Sequence, residues 1–149
     1  MSTETTNSTP TQDERVMGAL AHIGTFIPTI GVIIPIVIWI TQKDKSRYAA
    51  FQALQAAAYQ LALLLLWFLG MACYMGSIFL MVPVIAMSQS SNFNPEMLFA
   101  FLPLGIIGFI GLFWLASLIY GIVAAVRTFQ GKDFRYILIG KQIERFYSK

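Results

Sequence analysis

Apolar positions in this chain gather into three long stretches, and the polar positions between them form short connectors. The first stretch, VMGALAHIGTFIPTIGVIIPIVIWI, covers about residues 16–41 and contains Pro28, Gly31 and Pro35. Each of these interrupts a regular ladder of backbone bonds. The segment therefore reads as a kinked transmembrane helix, with a re-entrant pair of half-helices as the alternative. The second stretch runs from 48 to 87 without a turn signal. At about 1.5 Å per residue it would extend roughly 60 Å, twice the hydrocarbon thickness of a bilayer. Its membrane portion is placed at 61–82, where no Asp, Glu, Lys or Arg occurs, and residues 48–60 become a lead-in helix at the interface or against the other helices. The third opens at Asn94-Pro95-Glu96, a cap, a first-turn proline and an acid at the positive end of the helix dipole. It spans about 97–127, with Gly131 as the expected stop. In the last segment, DFRYILIGKQIERFYSK, a helical reading sets Tyr136, Ile139, Ile143, Phe146 and Tyr147 on one side and Lys141 and Arg145 opposite.

The pattern thus predicts an all-α integral membrane protein, with three transmembrane helices and a C-terminal amphipathic interfacial helix. Composition agrees: 57% of the residues are apolar and 11% charged, against about 25% charged in an average soluble domain. Residues 1–13, rich in Thr and Ser, read as a disordered polar tail without the basic and apolar order of a cleaved leader. The remainder, 14–147, reads as one membrane domain. The lone Cys73 excludes a disulfide framework or a paired-thiol site.

Charge sets the orientation, because basic residues in short loops are retained on the cytoplasmic side. The connector after the first stretch carries Lys43, Lys45 and Arg47 against Asp44. The C-terminal region carries Arg127, Lys132, Arg135, Lys141, Arg145 and Lys149 against Asp133 and Glu144, whereas the connector before the third stretch offers Glu96 alone. Both basic regions are expected at the cytoplasmic face of the inner membrane, on anionic lipid, which makes the C-terminus of this multi-pass chain cytoplasmic. Three crossings would then put the N-terminus outside, and a re-entrant first segment would put it inside. Aromatics alternating with basic residues also occur on RNA-binding surfaces, but this much apolar sequence argues against a nucleic-acid partner.

The polar residues inside the apolar stretches are the candidates for chemistry. On a helix Tyr48, Gln52, Gln55 and Tyr59 fall within an arc of roughly 60°, beside a smooth face of Ala49, Ala53 and Ala57 that admits close helix packing. A glutamine amide in lipid needs a partner, so this stripe should meet interfacial water, another helix or a bound molecule. His22 is the single histidine, and a lone imidazole defines neither a metal site nor a triad. Gly105, Gly108 and Gly111, then Ser117, Gly121 and Ala125, form a small-residue seam along the third stretch. It suits packing within the chain or against another copy or a second membrane protein. No paired catalytic groups or cofactor motif accompany these residues, so the chain reads as non-enzymatic and cofactor-free.

Three pieces then carry a family resemblance: VMGALAHIG, WITQKDKSRYAAFQALQAAAYQ and YGIVAAVRTFQGKDFRYILIGKQI. In order and spacing they resemble the DUF4870 family of small membrane proteins, described as similar to Tic20, the chloroplast inner-envelope import component. The resemblance covers about residues 14–147. This sequence departs from that pattern at Gln52, where a His is frequent, and at Ile137, where a Pro is frequent. The resemblance implies a non-enzymatic inner-membrane protein that assembles with itself or another membrane protein, in a Tic20-like translocation or assembly role. The alternative from the residues is a small channel or transporter with a polar path near His22, Gln52 and Gln55.

Overall fold

The computed structural model describes residues 9–27, 29–88, 96–137 and 139–147, without the side chains of 87–88, 96–100 and 146–147. Most of the expected tail, the Asn94 cap, Pro95, and the side chains of Phe146 and Tyr147 lie outside this description. Every regular element among the described residues is helical: α1 (Gln12–Ile23), a 3-10 turn (Gly24–Phe26), α2 (Ile33–Gln42), α3 (Arg47–Ser88), α4 (Glu96–Phe129) and α5 (Gly140–Tyr147). They belong to two compact units. Met1–Leu61 and Leu118–Lys149 make the first, and Ala62–Ser117 the second.

Among the described residues two helices, not three, are long and apolar enough to cross a membrane: Arg47–Ala86 within α3 and Phe101–Phe129 within α4. The lead-in helix and the second expected span thus fall within one helix, α3. The expected first span is two half-helices packed on each other. At 12 and 10 residues they rise about 18 and 15 Å, each near half of the hydrocarbon core. The break has a steric origin. Thr29 sits at φ 65°, in the left-handed region that non-glycine residues avoid. Gly31 lies so close to the carbonyl oxygens of Gly24 and Ile27 that a side chain would collide with both. Pro35 is tolerated because it falls in the first turn of α2, where backbone N–H groups lack helical acceptors in any case.

Two helix starts in the first unit, those of α1 and α3, are fixed by side chains. At α1, Thr11 and Glu14 form a reciprocal capping box: Glu14 N–H donates to the Thr11 hydroxyl, and Thr11 N–H to Glu14 Oε2 at 2.7 Å. The other Glu14 oxygen accepts from Ser46 Oγ at 2.6 Å, and Ser46 in turn accepts from Ala49 N–H at the start of α3. One carboxylate therefore ties two helix starts together, and the Ser46 hydroxyl, ahead of the Thr11 amide, holds it below the ordinary carboxylate range. α4 ends as expected at Gly131, whose φ of 74° needs a residue without Cβ.

Beyond Gly131 the expected C-terminal amphipathic helix is present but shorter than the segment read as helical. Residues 132–136 are extended, and α5 starts only at Gly140. In the second unit, the α3 and α4 segments leave between them an apolar cavity of about 1040 Å³, lined among others by Leu66, Trp67, Gly70, Gly105, Ile110 and Phe113.

Candidate functional site

The first unit is organised around the glutamines. α3 enters it with Ala49, Ala50, Ala53 and Ala56 completely buried, so neighbouring backbones approach closely and the longer side chains between them reach across. Gln52 and Gln55 are 0% exposed, as are His22 and Thr128. Burial of so many amide and imidazole groups is tolerable only if each finds partners.

Those partners lie on the extended segment after α4. Gln55 Nε2 donates to the carbonyl of Phe134 at 3.1 Å, and Gln55 Oε1 accepts from Tyr136 N–H at 3.1 Å. A side-chain amide thus pairs with the backbone of 134–136 as an adjacent strand would. Gln52 Nε2 donates to the same Phe134 carbonyl at 3.2 Å. An α-helix through 134–136 would commit these backbone groups to its own ladder, which explains why the segment stays extended. Gly140 leaves room for the clamp, since a Cβ there would stand 3.1 Å from Gln55 Oε1.

With its nitrogen committed, Gln52 presents Oε1 to His22 Nε2 at 3.3 Å and to the Thr128 hydroxyl at 3.5 Å. His22 Nε2 must therefore carry the proton, leaving Nδ1 to accept from the Tyr136 hydroxyl at 3.0 Å. The imidazole is neutral, and burial pushes its pKa down to about 4. Burial likewise pushes the Tyr136 phenol well above its ordinary value. Aromatic rings close the cluster: Tyr59 stacks on Tyr136 at 4.2 Å between centroids, and Tyr120 meets Tyr136 edge-on at 5.2 Å.

The structure thus unites four of the five residues of the expected polar face, His22, Gln52, Gln55 and Tyr59, around Tyr136. Tyr48 stands nearer the surface, and its hydroxyl donates to the carbonyls of Thr128 and Lys132. The amides and imidazole expected along a polar path are bonded to one another and to backbone. Sequence reading did not find Phe134, Tyr136 and Thr128. The available signal was strand-like alternation: Phe134 and Tyr136 are buried, whereas Asp133, Arg135 and Ile137 are exposed.

Gln60, outside the expected stripe, is buried too. Its Nε2 donates to the Ala21 carbonyl at 3.1 Å while its Oε1, among the described residues, is a buried side-chain atom without a partner. The packing residues divide. Ala49, Ala53 and Ala57 are buried, and Gly121 sits against Thr25, 3.2 Å from where a Cβ would lie. Ser117 is buried with its hydroxyl on the Phe113 carbonyl at 2.8 Å, and Ala125 is half-buried. Around Gly105, Gly108 and Gly111 a Cβ would meet nothing within 4 Å. The basic residues Lys43, Lys45, Arg47, Arg127, Lys132, Arg135, Lys141 and Arg145 are all exposed. Arg135 pairs with Glu144 at 2.9 Å, a surface contact worth little.

Comparison with known proteins corrects the resemblance read from the three sequence pieces. No curated protein and no solved structure matches the chain. The family model that does match takes in residues 13–143, and so all three of those pieces, and it is not that of a DUF4870 or Tic20-like family. It describes the magnetosome magnetite crystal formation proteins, MamF/MmsF, and on a match of this extent the chain belongs to that family.

Proposed function

We propose that this chain is a two-span, non-catalytic membrane component of magnetite crystal formation, acting by assembly with itself or with another membrane protein. The observation that carries the reading is the family match over 13–143, which contains both apolar helices. Among the described residues no three His, Cys, Asp or Glu side chains converge on a metal position, so support for a role in the mineral comes from the family. His22 has both nitrogens engaged, which favours a structural over a proton-transferring imidazole.

In this reading, with two crossings, both basic regions and the start of α1 lie on one face, the cytoplasmic one by the distribution of Lys and Arg. The span ends at Ala86 and Phe101 then lie toward the opposite compartment, where a membrane-enclosed crystal would grow. Open glycines at 105, 108 and 111, the first of them also lining the apolar cavity of the second unit, suit a partner helix that needs close backbone approach.

Deleting the chain from a magnetite-forming cell should shift crystal size or number in electron micrographs, and re-expression should restore them. An unchanged crystal population in a verified deletion overturns the proposal.

A further inference from the structure

The arm made of α1, the 3-10 turn and α2 is built inside out for a protein in water. Ile23, Phe26, Ile30, Ile33, Val37 and Ile40 are between 44% and 65% exposed. Its inner side instead holds Gly18, Ala21, His22, Thr25 and Pro35. A continuous apolar exterior of this kind needs an apolar neighbour.

Contacts within the first unit measure how far the arm descends. Glu14 meets Ser46 at the start of α3. Gly18 lies against Gln52 and Thr128. Further along, Thr25 lies against Gly121, and Gln60 donates to the Ala21 carbonyl. From Gly18 to Thr25, from Gln52 to Gln60 and from Thr128 back to Gly121, the helical rise is in each case about 10–12 Å. Thr25, in the turn after α1, therefore stands roughly that far below the level of Thr128, less than half of a core about 30 Å thick. α2 then returns to Lys43.

Two features identify the neighbour. On α4, in the same unit, Ile122, Val126 and Phe129 are also exposed, so the surface that meets lipid continues up to the level at which the arm begins. Exposed Lys43, Lys45, Arg47 and Arg127 rim that level, where ammonium and guanidinium groups meet anionic headgroups. The polar groups at the break are served from inside, the Ala21 carbonyl by Gln60 and the Ile27 carbonyl by Gly31 N–H, as irregular backbone at membrane depth requires.

We propose that the α1–α2 arm is a lipid-inserted hairpin confined to the leaflet on the basic side, its outer face covered by the acyl chains of that leaflet. The inference rests on reading α3 and α4 as spans, and the test separates the two. The full chain carrying Cys73→Ser is given single cysteines in turn at Gln12, Ile30, Val37, Lys45 and Leu66, each spin-labelled in vesicles of phosphatidylethanolamine and phosphatidylglycerol. Labels at 12 and 45 should be reached by an aqueous nickel chelate from the same side. Labels at 30 and 37 should lose chelate collisions and gain oxygen collisions, with 30 deeper than 37 and short of the midplane. Labels at 12 and 45 on opposite sides, chelate access at 30, or dipolar coupling between copies at 30 would each overturn the hairpin, in favour of a crossing, a wet arm or a second copy. Chelate access at 66 would instead overturn the spans.

Discussion

Gln55 gives the extended segment at 134–136 the pairing that a neighbouring strand would supply, and His22 depends on that segment through Tyr136. Protonating His22 forces Nδ1, the acceptor for Tyr136, to become a donor in a buried site without a carboxylate partner. The unfolded imidazole takes its proton near pH 6.5 and the folded one near 4. Between these values the unfolded state binds more protons, so stability intact above pH 6.5 is lost as pH falls toward 4. The loss amounts to at most about 3 kcal/mol. Glu14, whose pKa is lowered, loses its contribution only below the ordinary carboxylate range. With Trp67→Phe and Trp114→Phe, Trp39, which packs on the Ala21–Ala53–Ala56 cluster, reports melting of the first unit in detergent. Its midpoint should drop from pH 7 to pH 4.5 and be nearly flat over that window in His22→Gln; a flat wild-type curve would contradict the buried neutral imidazole. Half of this cluster was legible in the sequence, since His22, Gln52, Gln55 and Tyr59 are polar intruders in apolar helices. Phe134 and Tyr136 stayed hidden because their period of two is only one repeat long and was absorbed into a helical reading of the C-terminal segment.

At the level of elements, the breaking residues of the first apolar stretch were visible, but its length invited a crossing. Counting apolar residues measures total rise only if the chain keeps one direction, and Thr29 and Gly31 reverse it. Glycines in this fold therefore carry opposite expectations. Gly31→Ala drives a methyl into the Gly24 and Ile27 carbonyls and should destabilise the first unit by about 2 kcal/mol or more. Gly108→Ala points into open space and should leave the melting midpoint unchanged or raise it, as Ala favours a helix over Gly by about 1 kcal/mol. Far-UV circular dichroism melts in one detergent compare the two directly. An equal effect of both substitutions would contradict the close approach at Gly31. Of the glycines expected along the seam, Gly121 is covered by Thr25, whereas nothing described comes within 4 Å of a Cβ at Gly105, Gly108 or Gly111.

Across the whole molecule, two helices rather than three are long and apolar enough to cross a membrane among the described residues, a count that the charge pattern permitted and the apolar count did not suggest. The asymmetry of the arm has a mechanical consequence. Two crossings displace both leaflets alike, whereas an arm about 15 Å long adds volume to one of them. A bilayer relieves such one-sided crowding by bending, convex toward the crowded leaflet. The chain should therefore concentrate in narrow tethers pulled from giant vesicles with the basic side outward, relative to the flat parent membrane. Ile33→Ser with Val37→Ser should weaken that sorting, and equal densities of wild-type chain in tether and parent would contradict it. A small closed compartment whose outer surface is the basic side would then recruit this protein by its shape alone.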